Sequence, residues 1–223
     1  MGSVEHTNGT APQLNGSIQH NAGSDLFRLN DRTVVGEHTS KHQTAYTLTA
    51  AVTGGLGSLG VSLAQTLLEY GADVVCTDLP EAPQDEIWLT LKKVADSTGG
   101  QLRYVSCDVT NEDSVSRAFE SAESGSRYPI RGLVTCAGIS GRCPAVDYPV
   151  DKFRRIMDIN VTGTFLCATA AARVMQRQMV SGSIVMLASM SATNVNQLAR
   201  SLAAEWGNDG AHPPIRVNTY SPG

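Results

Sequence analysis

Thr53-Gly54-Gly55-Leu56-Gly57-Ser58-Leu59-Gly60 follows a short apolar run and leads into a helical repeat of leucines. A glycine-rich turn between a strand and a helix leaves backbone N–H groups at the positive end of the helix dipole, which suits a pyrophosphate. Asp78 comes about twenty residues later, where a dinucleotide-binding fold places the acid that holds the adenosine ribose. Together these features favour a nucleotide site over a purely structural turn. The predicted cofactor contacts here are Thr53, Gly54, Gly57, Ser58, Leu59, Gly60 and Asp78.

The composition suits a single α/β domain, with 223 residues of which 41% are hydrophobic. A net charge of −4 argues against nucleic acid as the main partner. No apolar run is long enough to cross a membrane, and the N-terminus has no secretory leader. The five cysteines lack metal-ligand spacing, so we expect no bound metal, reduced thiols and a cytoplasmic protein.

The order of predicted elements indicates a doubly wound parallel sheet of the Rossmann type. Residues 1–26 are rich in Gly, Asn, Ser, His and Gln and predict a disordered tail. From residue 27 to 223, strand-like apolar runs alternate with helical periodicity, as in a single α/β domain. Residues 27–35 lead into a first strand that is completed at Val52, so we interpret 36–51 as an insert, hypothetically a retained intron. Further predicted features are a cap at Thr110 for a helix over 111–123 and one long helix over 150–178.

Several later motifs follow the glycine turn in the order typical of one family. They are Cys107-Asp108-Val109, Cys136-Ala137-Gly138, Asn160-Val161-Thr162-Gly163, Ser189 after an apolar strand, and Arg216-Val217-Asn218 with Ser221-Pro222-Gly223. In this order they resemble the short-chain dehydrogenase/reductase family over roughly residues 27–223. The similarity extends to polyol dehydrogenases and ketose reductases of the fungal type.

The resemblance implies an NAD(P)-dependent oxidoreductase that transfers a hydride between nicotinamide and a secondary alcohol or ketone, such as a polyol or ketose. By resemblance, Ser189 polarises the substrate oxygen and Asn160 holds a water that relays protons. Further cofactor contacts are implied at Asp108, Val109, Cys136, Ala137, Gly138, Pro222 and Gly223. The expected cofactor is NAD, with NADP as the alternative. The expected partners are a small-molecule alcohol or carbonyl substrate and, in a complete enzyme, further copies of the chain in a homodimer or homotetramer.

Two departures from the family pattern bear on activity. Most relatives place the middle glycine of the turn at the position of Ser58, whereas here it falls at Gly57. The family also needs Tyr-x-x-x-Lys after the serine, to move the proton and to grip the nicotinamide ribose. After Ser189 this chain has no lysine and only one tyrosine, Tyr220.

The only Tyr-x-x-x-Lys of the chain, Tyr148 to Lys152, precedes both Asn160 and Ser189, and we reject it as the catalytic pair. We therefore interpret the chain as an incomplete family member that lacks a segment between residues 197 and 198 and a C-terminal region after 223. Genuine divergence is the alternative. It leaves a catalytically inactive nucleotide-binding protein, or a purely structural protein that binds no dinucleotide.

Overall fold

The computed structural model describes residues 48–83, 85–141, 143–189 and 193–222, which form one six-stranded parallel sheet with helices on both faces. The strand order is β3-β2-β1-β4-β5-β6, and every neighbouring pair is parallel. The predicted single-domain, doubly wound α/β fold is confirmed. The strands are β1 (Thr49–Thr53), β2 (Asp73–Asp78), β3 (Leu102–Ser106), β4 (Ile130–Thr135), β5 (Gly182–Leu187) and β6 (Ile215–Tyr220).

Six α-helices connect these strands: α1 (Ser58–Glu69), α2 (Asp85–Thr98), α3 (Glu112–Gly125), α4 (Val150–Met157), α5 (Thr164–Arg177) and α6 (Thr193–Trp206). A 3₁₀ turn over Ala145–Asp147 precedes α4, and a π-helical turn over Asp158–Gly163 joins α4 to α5. None of the helices in the described part of the chain has the length and apolar composition that a bilayer crossing requires.

The core has two halves, one on each side of the sheet. Leu68 of α1 and Leu91 of α2 are fully buried against one face. Phe119 of α3, Met175 of α5 and Trp206 of α6 are buried on the other. Every residue of β1 is buried, as expected for a central strand of a parallel sheet covered on both faces.

Residues at the start of β1 differ from the prediction. Thr49 to Ala51, the last residues of the predicted insert over 36–51, pair with Asp73 to Val75 of β2 and form the first part of β1. The strand signal here is weak because two of the residues are alanines, which have low strand propensity. The tail over 1–26, the strand entry over 27–35 and the rest of the insert lie outside the described residues.

Two helix predictions are also corrected. Asn111 rather than Thr110 caps α3, since its side-chain oxygen accepts a hydrogen bond from the Ser114 N–H at 2.9 Å. The predicted long helix over 150–178 is divided, because the π-helical turn interrupts it. Such turns are frequent at functional sites, and this one faces the ends of the central strands.

The topology determines where a ligand can bind. The described strands start with β1 in the middle of the sheet, continue outward to β3 and then return to β4 on the other side of β1. The loops after β1 and β4 therefore separate in opposite directions, which opens a crevice at the carboxyl ends of these strands. Open α/β sheets bind their ligands at such a point.

Candidate functional site

Two positions of the turn between β1 and α1 have no room for a side chain, and both are occupied by glycine. Gly54 has φ +64°, and a Cβ on it would lie 2.6 Å from the backbone nitrogen of Ala137. A Cβ on Gly60 would collide with the carbonyl oxygen of Gly54. The Gly57 N–H closes the turn by donating to that same carbonyl at 3.0 Å. The turn therefore brings the start of α1 close to the ends of β1 and β4.

The shifted middle glycine takes the N-cap position of α1. Gly57 has an extended backbone, with φ −73° and ψ 158°, and it lines the cavity described below. Ser58 is the first helical residue and is exposed, as is Leu59. Since a φ of −73° is open to any residue, the small size of Gly57 matters more here than its backbone freedom.

Asp78 at the end of β2 contacts the glycine-rich turn directly. Its Oδ2 accepts a hydrogen bond from the Leu56 N–H at 2.9 Å, and its Oδ1 accepts one from the Leu79 N–H at 2.8 Å. The Gly55 N–H donates to the Thr77 carbonyl at 3.0 Å in the same contact. The carboxylate is thereby held at the mouth of the crevice, beside the glycine turn.

Side chains of β3 hold the loop that carries Asp78. The Tyr104 hydroxyl lies 2.5 Å from the Pro80 carbonyl oxygen and 3.1 Å from that of Asp78. The Ser106 hydroxyl donates to the Leu79 carbonyl at 3.2 Å. Burial, and secondly the charge of Asp78, raises the pKa of Tyr104 to about 12, so its hydroxyl remains a donor at neutral pH. These contacts could not be predicted from the sequence, because they depend on the register of β2 against β3.

The loop after β3 contributes Asp108 and Val109 to the crevice. Asp108 Oδ1 accepts hydrogen bonds from both the N–H and the hydroxyl of Thr110, at 2.9 and 2.7 Å. Val109 packs against Gly163 of the π-helical turn, where a Cβ would lie 2.8 Å from its side chain. Asp108 is therefore oriented by its own loop, and Val109 is positioned by its contact with the π-helical turn.

The loop after β4 is fastened to β1 by backbone and side-chain bonds. The Cys136 N–H donates to the Thr53 carbonyl at 3.0 Å, and the Ala137 N–H donates to the Thr53 hydroxyl at 3.3 Å. Thr53 is buried, so its side chain supports the loop. Burial raises the pKa of Cys136 to about 12, which keeps this cysteine a neutral thiol in the place of the family's asparagine.

Asn160, in the π-helical turn, holds the next residue of the same loop. Its Oδ1 accepts from the Ile139 N–H and its Nδ2 donates to the Ile139 carbonyl, both at 2.9 Å. Its own backbone carbonyl accepts from the Thr164 hydroxyl at 2.8 Å. In this structure the Asn160 side chain positions the loop after Gly138, a role that the sequence did not indicate.

These loops surround a cavity of about 890 Å³. The predicted residues that line it are Gly54, Gly57, Asp78, Asp108, Val109, Cys136, Ala137 and Gly138. Residues that were not predicted as cofactor contacts also line it, namely Leu79, Cys107, Thr110 and Ile139, with Asp151, Lys152, Arg154, Arg155, Asp158 and Ile159 from α4 and the π-helical turn. The sequence did not indicate that α4 lies beside the crevice, because only the topology brings this helix there.

Other predicted site residues lie elsewhere. Thr53 and Gly60 are buried beneath the glycine turn. Ser189 follows β5 and Pro222 follows β6, and both are exposed residues outside the cavity lining. Gly223 lies outside the described residues. Among the described residues no three His, Cys, Asp or Glu side chains are grouped as a metal site requires.

The rejected pair Tyr148 and Lys152 does not share a helix. Tyr148 ends the 3₁₀ turn and packs against Gly141, whereas Lys152 belongs to α4, which begins at Val150. Lysine lowers the pKa of a nearby tyrosine only when the two are held together. This arrangement gives no reason to assign the pair a catalytic role.

Comparison with known proteins identifies the class. Residues 54–223 match the family model described as enoyl-(acyl carrier protein) reductase. The chain is 44% identical to the short chain dehydrogenases/reductase notP' of Aspergillus versicolor, over 90% of this chain and 68% of that protein. It is 32% identical to the D-arabinitol 2-dehydrogenase (ribulose-forming) of Candida tropicalis, over 77% of this chain and 68% of that protein. Its fold matches the crystal structure of an NAD⁺-bound xylitol dehydrogenase with a TM-score of 0.69 and 30% identity, over 80% of this chain and 70% of that one.

The fold and the glycine turn thus define a nucleotide-binding α/β protein. The chain belongs to the short-chain dehydrogenase/reductase family, whose members are NAD(P)-dependent oxidoreductases, and the predicted resemblance is confirmed. The chain spans about two-thirds of the length of the relatives named above, since it covers 68% of each.

Gly54→Ala should abolish or strongly weaken NAD binding, because its Cβ would collide with the Ala137 backbone. Gly99→Ala is the matched control, since Gly99 also has a positive φ of +72° but open space around its Cβ position. Both substitutions carry backbone strain of about 1–2 kcal/mol, and only the first deforms the crevice. Calorimetric titration with NAD should show affinity lowered at least about tenfold for Gly54→Ala and unchanged for Gly99→Ala. Equal affinities for the two variants would contradict the close approach of the loops.

Proposed function

We propose that this chain binds NAD in the crevice at the carboxyl ends of β1 to β4. The observation that carries the proposal is the Asp78 carboxylate, held by the Leu56 and Leu79 N–H groups at the edge of that crevice. A carboxylate in this position accepts hydrogen bonds from the ribose hydroxyls of the adenosine half. The positive end of α1 beside it suits the pyrophosphate.

The residues present fit a dinucleotide. The volume of about 890 Å³ lies in the range of cofactor pockets. Gly54 and Gly57 place no side chain on the wall next to the start of α1, so a phosphate can approach the backbone. Asp108 and Val109 flank the position proposed for the adenine, and Ala137 and Gly138 form the wall at the end of β4. When bound, NAD supplies the hydride acceptor.

The substrate class that we propose is a polyol or ketose. Relatives bear the names D-arabinitol 2-dehydrogenase (ribulose-forming), from Candida tropicalis, and NADH-dependent L-xylulose reductase, from Ambrosiozyma monospora, the latter 30% identical. Both names describe the interconversion of a secondary alcohol and a ketone in a short-chain sugar or sugar alcohol. Support for this class comes from the likeness to these relatives.

The residues that transfer the proton in the family are not found after Ser189 in this sequence. Ser189 is placed after β5, where its hydroxyl could hydrogen-bond a substrate oxygen in a complete site. A serine has too high a pKa to act as the general acid or base near neutral pH, and no Tyr-x-x-x-Lys follows it. The second candidate function is therefore nucleotide binding without catalysis, favoured by this absence.

Apolar side chains on α4 and α5 suggest where copies of a complete enzyme associate. Val150, Phe153 and Phe165 are 60%, 55% and 40% exposed, and exposed apolar side chains can contribute to an interface between subunits. We propose that the homodimer or homotetramer packs through this surface and α6. Light scattering of a chain with the catalytic segment restored measures the oligomeric state, and a monomer would contradict the proposal.

NAD should bind at least about tenfold more tightly than NADP. The 2′-phosphate brings a second negative group next to Asp78, and residues 79–83 contain no arginine or lysine to offset it. Titrations with both dinucleotides measure the ratio, which Asp78→Asn should reduce and the surface control Asp96→Asn should not. NADP binding as tight as NAD would mean that the cations of α4 on the facing wall compensate, and the assignment of Asp78 to the ribose would fail.

The chain as written should not oxidise polyols, whereas a chain with a Tyr-x-x-x-Lys segment restored between Gln197 and Leu198 should do so. General acid–base groups contribute about 10²–10⁴-fold each, so their loss leaves turnover below detection. NADH formation with D-arabinitol or xylitol measures the activity. The matched control carries the same inserted segment with Phe and Met in place of Tyr and Lys, which keeps the added helix. Comparable rates for the original and restored chains would show that another group moves the proton.

A further inference from the structure

The crevice is asymmetric, because its walls come from one side of the dinucleotide site. The described residues that line it belong to the loops after β1, β2, β3 and β4 and to α4 with the π-helical turn. The strands β5 and β6 contribute no described residue to the lining, although Ser189 follows β5 and Pro222 follows β6. From this asymmetry we infer that the chain recognises the adenosine diphosphate half of a dinucleotide alone, so that ADP-ribose binds as tightly as NAD. The inference rests on the proposed function and narrows its ligand class.

The adenosine half is held by contacts within the protein. Both oxygens of Asp78 are held by backbone N–H groups, so the carboxylate cannot rotate away from the crevice without losing two hydrogen bonds. The carbonyls of Asp78, Leu79 and Pro80 are contacted by the hydroxyls of Tyr104 and Ser106. A preorganised site spends little of its binding energy on ordering the protein, so this half can hold a ligand by itself.

The wall at the end of β4 is equally fixed. The Ala137 N–H is bonded to the hydroxyl of the buried Thr53, and Ile139 is held at both backbone groups by the Asn160 amide. These bonds join β1, the loop after β4 and the π-helical turn into one unit. None of these bonds comes from β5 or β6, although β5 pairs with β4 in the sheet.

On the opposite side, no described residue of β5 or β6 lines the cavity. Between Ser189 and Ile215 the sequence contains neither a lysine nor a tyrosine, the residue types that commonly grip sugar hydroxyls near a nicotinamide. Ser189 and Pro222 are exposed and lie beyond the cavity lining. Nicotinamide and its ribose can then add little to the affinity that the first half provides.

Calorimetric titration of the full chain with NAD, ADP-ribose and nicotinamide mononucleotide tests the inference. We expect dissociation constants for NAD and ADP-ribose within about threefold of each other, and no saturable binding of nicotinamide mononucleotide. NAD binding at least about tenfold tighter than ADP-ribose overturns the inference and leaves the proposed function standing. Absence of binding by both NAD and ADP-ribose overturns both.

Two variants separate positioning from general stability. Tyr104→Phe removes the hydroxyl that holds the Asp78 loop, and it should weaken NAD and ADP-ribose by the same factor, about three- to tenfold. Tyr70→Phe, at the far end of α1 from the glycine turn, is the matched control and should leave both affinities unchanged. A Tyr104→Phe chain that keeps full affinity for ADP-ribose, or that loses affinity for NAD alone, contradicts the assigned role of Tyr104 in the adenosine half.

The chain with the restored Tyr-x-x-x-Lys segment should show the opposite result, a preference for NAD over ADP-ribose. In it the second half of the site is built, so NAD should bind at least about tenfold more tightly than ADP-ribose. An unchanged ratio in the restored chain would show that the segment does not complete the nicotinamide half, and the asymmetry would then have another cause.

Discussion

The hydrogen bond from the Leu56 N–H to the Asp78 carboxylate is the contact on which the site depends. It joins residues 22 positions apart and links the glycine turn to the end of β2. Bonds to a charged acceptor are the stronger ones, contributing about 1.5–3 kcal/mol where neutral bonds contribute about 1. Because Gly55 packs against Cys76 and Gly54 against Ala137, the same contact brings three strand ends together. The start of α1, the acid and the loop after β4 are therefore held relative to one another by contacts within the protein.

Much of this arrangement could be predicted from the sequence because its signals are local. Apolar runs and helical periodicity placed most strands and helices within a few residues of their observed bounds. The glycine turn and Asp78 were recognised from their spacing, and the structure brings them into direct contact. Alternation of strands and helices was enough to predict the parallel sheet, because parallel strands require crossover connections.

What the sequence did not reveal depends on tertiary register. Tyr104 can reach the Pro80 carbonyl only because β3 pairs with β2 in one particular alignment. Asn160 holds Ile139 across 21 positions, and neither residue signals the other in the sequence. The charged residues of α4 line the crevice only because the topology places this helix beside it. At β1 the strand-like Thr33-Val34-Val35 outweighed the weaker Thr49-Ala50-Ala51, since β-branched residues have the higher strand propensity.

We propose a nucleotide site whose adenosine half is formed by β1 to β4, while β5 and β6 contribute no described residue to the cavity. A crystal structure of the chain grown with NAD tests it most directly. We expect the ribose hydroxyls of the adenosine to lie within about 2.7–3.2 Å of the Asp78 carboxylate. The nicotinamide end should lack fixed protein contacts. Adenosine bound away from Asp78, or a nicotinamide held firmly beside Ser189, would contradict it.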